Sequence, residues 1–402
     1  MKNKRILVFY ITIYLFLFVG FSIFIIWNYL HRGLFEYIGI DYRLWYATGQ
    51  IARMYGFDQI YDIALQSHYQ SQLFTLFSIP SNWSMAFWPL PLPYLSVFTL
   101  PMLILTFFKP ESGFLLWTII NLLGSFIYIL LFLKREKWTF SANLILSVTL
   151  SLPLLLNLLF GQLNILLLIS LGETLILLRK EKDLRAGLCL GFMLLKPQTL
   201  LLIVPVLLIS RKFKTILGIF ISSIGLILIS LLLSGKQAIL GPFQVITSWP
   251  TILADSGVNL LTISQNVAKF IPGFLPTIIT ILGLIATMYF VFKYFSFQQW
   301  KFQLAHIEVD FLVLYIASSL ISPHANIHML LPQVILLIVA FFYGSLTNRD
   351  LFLWGSLPLT FFLLTSVDSI ATAHNIAGIL QILVNVFFLY KLSNANIKRL
   401  PN

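Results

Sequence analysis

Charge is scarce in this sequence: Asp, Glu, Lys and Arg together make up 10% of its 402 residues, against 59% hydrophobic. Soluble domains carry about 25% charged and about 45–50% apolar residues, so a water-soluble chain is excluded. No polar stretch is long enough to fold as a soluble catalytic domain. Cysteine is nearly missing. Cys189 stands alone inside an apolar run, which rules out an intramolecular disulfide and reads as a small buried hydrophobe. Acidic residues number 14 against 26 Lys and Arg, a net charge of +12. In a chain of mean hydropathy +0.92, that excess marks cytoplasmic loops facing anionic lipid, not a nucleic-acid surface. Also absent are a phosphate-cradling Gly loop, a nucleophile elbow, a Cys/His arrangement and any fixed-period repeat.

What is present is a succession of apolar runs. A membrane helix needs roughly 20 apolar residues, so the length predicts an all-α, polytopic transmembrane bundle of roughly 10–13 membrane helices, some short or re-entrant. Residues 1–402 form one domain. The run Ile6–Leu30 follows Lys2, Lys4 and Arg5 and reads as an uncleaved first helix with its N-terminus inside. Residues 31–83 then form a first external loop with Glu36, Asp41, Asp58 and Asp62. Within it Tyr42, Trp45, Tyr46, Gly49, Ala52 and Met54 recur at helical spacing beside Arg43, Gln50 and Arg53, which predicts a helix lying in the membrane interface. Runs 139–172 and 311–348 are too long for one crossing. Each predicts two helices, turning near Gly161-Gln162-Leu163-Asn164 and near Ser322-Pro323-His324. Residues 234–269 read as a second external loop.

Counting charges chooses the topology. If every run crosses, Lys and Arg divide about 13 inside to 12 outside, which the positive-inside rule disfavours. If 84–108 and 186–210 are hairpins broken at their prolines, the division becomes about 19 to 6. The second arrangement is preferred. It places 134–137 and 179–185 inside, with 31–83, 234–269 and Ser322–His328 facing out.

Polar residues inside apolar runs are expensive and usually functional. Lys196 lies mid-run beside the helix-breaking Pro197; its ammonium wants an anion, and a lipid phosphate is the natural one. Glu173 is also embedded, within two turns of Arg179, and is expected to pair at that end. His324 and His328 have the i, i+4 spacing of two metal ligands, but no third ligand, HExxH or DxD-type pair accompanies them. No metal and no cofactor is therefore assigned. His31, His68, His306 and His374 show no partner and read as structural.

As an ordered set these features resemble the polytopic glycosyltransferases of the GT-C superfamily, specifically glycosyltransferase family 87. The resemblance rests on Asp41-Tyr42-Arg43-Leu44-Trp45-Tyr46-Ala47 continuing to Gly56 and Tyr61-Asp62, and on Trp88-Pro89-Leu90-Pro91. It continues through Trp117 and Asn121, Gly161-Gln162-Leu163-Asn164, Ala186-Gly187 with Lys196-Pro197, and Ser322-Pro323 with His328. It implies a hexosyltransferase, mannose favoured, that moves the sugar from a polyprenyl-phosphate donor to a lipid or glycan hydroxyl on the external face of the plasma membrane. It implies Asp41 as general base with His328 beside it, Lys196 on the donor phosphate, and Arg43, Tyr46, Gln162, Asn164, Gln265 and His324 along the substrate cavity. Inverting single displacement follows, because a retaining route wants a second nearby carboxylate. Two other classes compete. A transporter or flippase of lipid-linked saccharides usually shows broken helices in both halves, and here the Pro-broken runs fall in the first half. A polymerase or ligase with a pyrophosphate-linked donor would use external arginines, for which Arg32, Arg43 and Arg53 are available.

Overall fold

The computed structural model describes residues 39–73, 89–138, 148–248, 259–261, 273–297, 300, 302, 307–322, 324–367 and 370–394. The expected first helix, Trp88 and Gln265 lie outside the described residues. Among the described residues there are fifteen α-helices and no strand. They are α1 (Ile40–Tyr55), α2 (Ile63–Ser71), α3 (Leu100–Leu105), α4 (Pro110–Arg135) and α5 (Leu152–Phe160). Then come α6 (Ile165–Arg179), α7 (Asp183–Leu190), α8 (Ile203–Ile209), α9 (Phe213–Ser234) and α10 (Gln237–Ser248). The last five are α11 (Leu275–Phe297), α12 (Ile307–Ile321), α13 (Gln333–Phe342), α14 (Asn348–Val367) and α15 (Ile370–Asn394).

Among the described residues, α4, α9, α11 and the His374–Asn394 part of α15 are long and apolar enough to cross a membrane. Their exposed faces carry Leu115, Ile127, Phe220, Leu232, Ile285 and Phe292, while α4 and α9 bury Gly113, Asn121, Ser125, Thr215, Gly218 and Ser230. Small and polar residues face the protein and large aliphatic ones face out, the arrangement expected of helices solvated by lipid. The chain is a polytopic membrane protein.

Both long runs break where expected. α5 ends at Gly161 (φ 75°) and α6 begins at Ile165, and α12 is separated from α13 by a turn holding the 3-10 segment Ile327–Leu330. The second external loop is not a plain loop: it starts with α10, which accommodates Pro242.

The helix ends richest in Lys and Arg gather at one end of the bundle. The Arg135 guanidinium donates to both Glu173 oxygens, with Nη1 to Oε2 at 3.1 Å. Arg179 donates to Glu308 on α12 (Nη2 to Oε2, 2.7 Å) and to the Tyr343 hydroxyl after α13. Its guanidinium lies 4.9 Å over the Trp138 ring. Lys212 holds Asp183 at 3.2 Å, and Lys391 holds Asp350. These pairs put 134–137, 179–185 and 211–214 on a common side, as the preferred charge count requires. Glu173 pairs at this end as expected, its partner being Arg135; Arg179, six residues on along α6, is not an i+3 or i+4 neighbour that could meet it along the helix.

The segment 183–211 explains the hairpin. α7 leaves the charged end, a 3-10 turn (Gly191–Leu195) leads to Lys196 in irregular backbone (φ −137°, ψ 73°), and Pro197 starts a second 3-10 turn. α8 then returns to Ser210, whose hydroxyl donates to the Trp300 carbonyl at 2.6 Å. About thirteen residues at 1.5 Å each cover roughly 20 Å, short of the roughly 30 Å hydrocarbon core. What lets α7 lie against α9 is the absence of side chains at Gly187 and Gly218. A Cβ on Gly187 would fall 2.0 Å from the Thr215 carbonyl oxygen, and one on Gly218 2.2 Å from the Leu184 carbonyl oxygen.

Candidate active site

α1 is more deeply buried than its apolar stripe alone suggested. Eleven of its sixteen residues are buried, including Arg43 at 1% exposure. It is fastened by three long-range hydrogen bonds. The Gly39 amide donates to the Leu159 carbonyl (2.7 Å), the Tyr46 hydroxyl to the Phe108 carbonyl (2.8 Å), and Arg53 Nη1 to the Thr106 carbonyl (2.6 Å). A stripe at helical spacing reports that one face is buried, but a helix inside a cleft buries its polar face as well. Tyr46, expected along the cavity, has its hydroxyl committed to this fastening. Arg53 spends one N–H on the same fastening and is otherwise exposed.

Asp41 sits in the first turn of α1. Tyr42 beside it lies directly under Gly161: a Cβ there would come 2.5 Å from the Tyr42 Cβ, and the positive φ disfavours any other residue. Gly161 therefore lets the α5–α6 turn close over the start of α1. The Gln162 side-chain amide donates to the Asp41 carboxylate, and Lys196 and Arg43 both bear on it electrostatically. Burial raises the Asp41 pKa above the ordinary carboxylate range, and Gln162, Lys196 and Arg43 each moderate the rise. Arg43 is pulled down to about 10 by burial, partly offset by Asp41, and remains a cation at neutral pH.

Lys196 occupies the tip of the hairpin, 6% exposed. Its ammonium donates to the Tyr94 hydroxyl and lies 4.6 Å from that ring's centroid. Tyr94 stacks on Trp45 of α1 (centroids 4.8 Å, planes 15° apart), and its carbonyl accepts from the Tyr61 hydroxyl at 2.8 Å. The cation is thus held by a ring that is itself held by the helix bearing Asp41. Gln198, two residues on, donates to the His324 carbonyl (3.3 Å), and Ser318 Oγ accepts from the Leu202 amide (3.1 Å). These contacts tie the hairpin to α12 and the turn after it.

A chain of amides builds the remaining wall. Trp117 Nε1 donates to the Gly161 carbonyl (3.1 Å), and Asn121 donates to the Trp117 carbonyl (2.9 Å). Asn157 Nδ2 donates to Asn121 Oδ1 (3.3 Å), while Asn157 Oδ1 accepts from the Asn164 amide (3.3 Å). Asn164 Nδ2 then donates to the His328 carbonyl at 3.1 Å. The motif residues Trp117, Asn121 and Asn164 therefore hold the α5–α6 turn against the turn bearing His328. The His328 imidazole is 3% exposed. Burial first, then Lys196 and His374, lower its pKa well below the usual value, so it is neutral near pH 7.

The structure thus brings Asp41, Gln162, Arg43, Lys196 and His328 into one neighbourhood, with Asn164 behind His328 and His324 beside Gln198. Sequence reasoning overlooked Tyr94, Asn157 and Gln198, and read His374 as structural although it stands beside His328. Tyr94 and Asn157 look like ordinary apolar-run residues, and only the folded chain shows what they touch. Among the described residues no three His, Cys, Asp or Glu side chains stand close enough to hold a metal ion.

Such an arrangement can take up a proton at a carboxylate and hold an anion at a buried ammonium. Comparison with known families agrees on the class: the profile of glycosyltransferase family 87 matches residues 94–323. No curated protein and no solved structure matches.

Proposed function

Because this chain belongs to glycosyltransferase family 87 and is a membrane glycosyltransferase, we propose that it moves a hexosyl group, mannose favoured, from a polyprenyl-phosphate donor to a lipid or glycan hydroxyl. The observation carrying this reading is that a buried ammonium at a hairpin tip and a carboxylate of raised pKa bear on each other across the α1–hairpin junction. A polyprenyl-phosphate sugar presents one phosphate and one glycosyl carbon at the membrane surface, which suits one cation and one base.

In the proposed step the acceptor oxygen attacks the anomeric carbon as Asp41 takes its proton. The bond from that carbon to the phosphate oxygen breaks, and polyprenyl phosphate leaves with its negative charge against Lys196. One displacement inverts the anomeric centre. A raised pKa makes Asp41 a stronger base once ionised. His328 orients the acceptor or relays its proton, and Arg43 adds positive potential. The active face is the one opposite the Lys- and Arg-rich end, hence external by the positive-inside rule, in a single catalytic domain spanning 1–402.

The test is release of polyprenyl phosphate from polyprenyl-phosphate mannose by purified protein. Lys196→Met roughly keeps the side-chain volume and removes the charge. Folded variant with a donor KM raised at least tenfold is the expected result. Parental donor binding and turnover by Lys196→Met would remove Lys196 from the phosphate site.

A further inference from the structure

Buried polar atoms in native proteins nearly always find a hydrogen-bond partner, and one group of the exceptions here converges near Asp41. Gln162 Oε1, Asn164 Oδ1, both ring nitrogens of His328 and His374 Nε2 have none. All four residues are at most 6% exposed. They come from three separated stretches of chain, yet they meet. Asn164 donates to the His328 carbonyl, and the Phe160 ring packs against both imidazoles, with centroids 6.0 Å from His328 and 5.5 Å from His374. Gln162 adjoins Asp41 through its amide.

The chemistry of this set defines its ligand. Two amide oxygens accept, the His328 ring offers one donor and one acceptor, and His374 Nε2 adds one or the other according to its tautomer. An anion wants donors alone, and a hydrocarbon tail wants neither. Hydroxyl groups both donate and accept, and a sugar ring carries several at short spacing. Phe160 supplies an apolar wall for the ring's carbon face.

We propose that His374, together with His328, Gln162 and Asn164, binds the hydroxyls of a sugar ring beside Asp41. This rests on the transfer reading above and adds the last membrane helix, α15, to the site. The ring belongs either to the donor or to an acceptor glycan, and kinetics tell the two apart.

The experiment uses the full chain with polyprenyl-phosphate mannose as donor and an alkyl mannoside as acceptor. His374→Phe keeps an aromatic ring against Phe160 and removes both nitrogens. We expect transfer to fall at least tenfold while Tm holds or rises, because a buried polar atom without a partner has been removed. A raised donor KM identifies the donor ring, and a raised acceptor KM the acceptor ring. His374→Gln, which restores an amide, should recover part of the loss. If His374→Phe does not accumulate, His374→Met carries the same comparison. Parental kcat/KM for both substrates would overturn the proposal. So would a joint fall of Tm and rate that glutamine does not relieve, the mark of a packing role. A parental chain that releases no polyprenyl phosphate defeats the transfer reading itself, whereas parental turnover with an unaffected His374→Phe defeats only the assignment of His374.

Discussion

The two ends of the bundle treat polar groups in opposite ways. At the Lys- and Arg-rich end, Glu173, Glu308, Asp183 and Asp350 each have a basic partner. At the other end, Gln162, Asn164, His328 and His374 are buried with atoms that pair with nothing, and Asp41 is held where burial disfavours its charge. Saturated polar groups hold helices together. Unsaturated ones cost stability and persist where a ligand supplies what the protein withholds. Single partnerless atoms also occur elsewhere, at Thr215 and Gln333 among others, so what marks the site is several of them converging near Asp41.

The sharpest way to break this comparison is Asp41→Asn, which is nearly isosteric and keeps a group for Gln162 to meet. Loss of a general base typically costs roughly 10²–10⁴-fold in rate, so transfer should collapse. Stability should hold or rise. A carboxyl whose folded pKa lies above its unfolded value destabilises the fold once pH exceeds the unfolded pKa, and that penalty fades as pH falls through the folded pKa. Thermal melts from acid to neutral pH check both signs, and a parental rate would move the base to Asp58 or Glu36. Asp62 is a poorer substitute, because its carboxylate already caps α2 by accepting from the Leu65 amide at 2.9 Å.

Arg179→Met probes the opposite end. It strands Glu308, whose side chain is fully buried, and breaking a buried pair costs about 3–5 kcal/mol; partial exposure of Arg179 puts the expectation near the lower figure. Denaturant unfolding should show this loss, while the folded fraction keeps the parental donor KM. Arg135→Met is the milder companion: its pair with Glu173 is 40% and 29% exposed, and such pairs contribute about 0–1 kcal/mol.

Gly187→Ala tests whether the seam between α7 and α9 places Lys196. The new Cβ meets backbone, not a yielding side chain, and overpacking of this kind costs about 1–3 kcal/mol. Stability should fall and the donor KM should rise together. Gly225→Ala on α9, where nothing lies within 4 Å, is the control: the donor KM should stay parental and stability should hold or rise, Ala being the better helix former.

The smallest expected effect is on pH dependence. Asp41 acts as a base only when ionised, so kcat/KM should rise with pH along a limb lying above the ordinary carboxylate range. The Gln162 hydrogen bond lowers that pKa, so Gln162→Leu should move the limb further up. A limb that stays put would show that Gln162 does not touch the ionised carboxylate during turnover.

Much of this was legible before the fold was known, for identifiable reasons. Apolar runs of fixed length announce lipid-facing helices, and a helix-breaking Pro197 beside Lys196 announces an interrupted one. The glycine and amide cluster at 161–164 marked a turn because few other residues tolerate its backbone. Charge counting placed 211–214 on the side of 179–185, since basic residues resist translocation wherever they occur in the chain. Composition, periodicity and charge are properties of single segments, and one sequence states them fully. Partners between segments are another matter. Glu173 meets Arg135 and not Arg179, Lys196 meets Tyr94, and Phe160 meets both His328 and His374, because helices separated by scores of residues pack face to face. Whether α1 floats in the interface or fills a cleft depends on the walls around it, which its own periodicity does not describe. Tertiary packing alone decided which polar atoms found partners and which were left for a ligand, because a hydrogen bond needs two groups within about 3 Å.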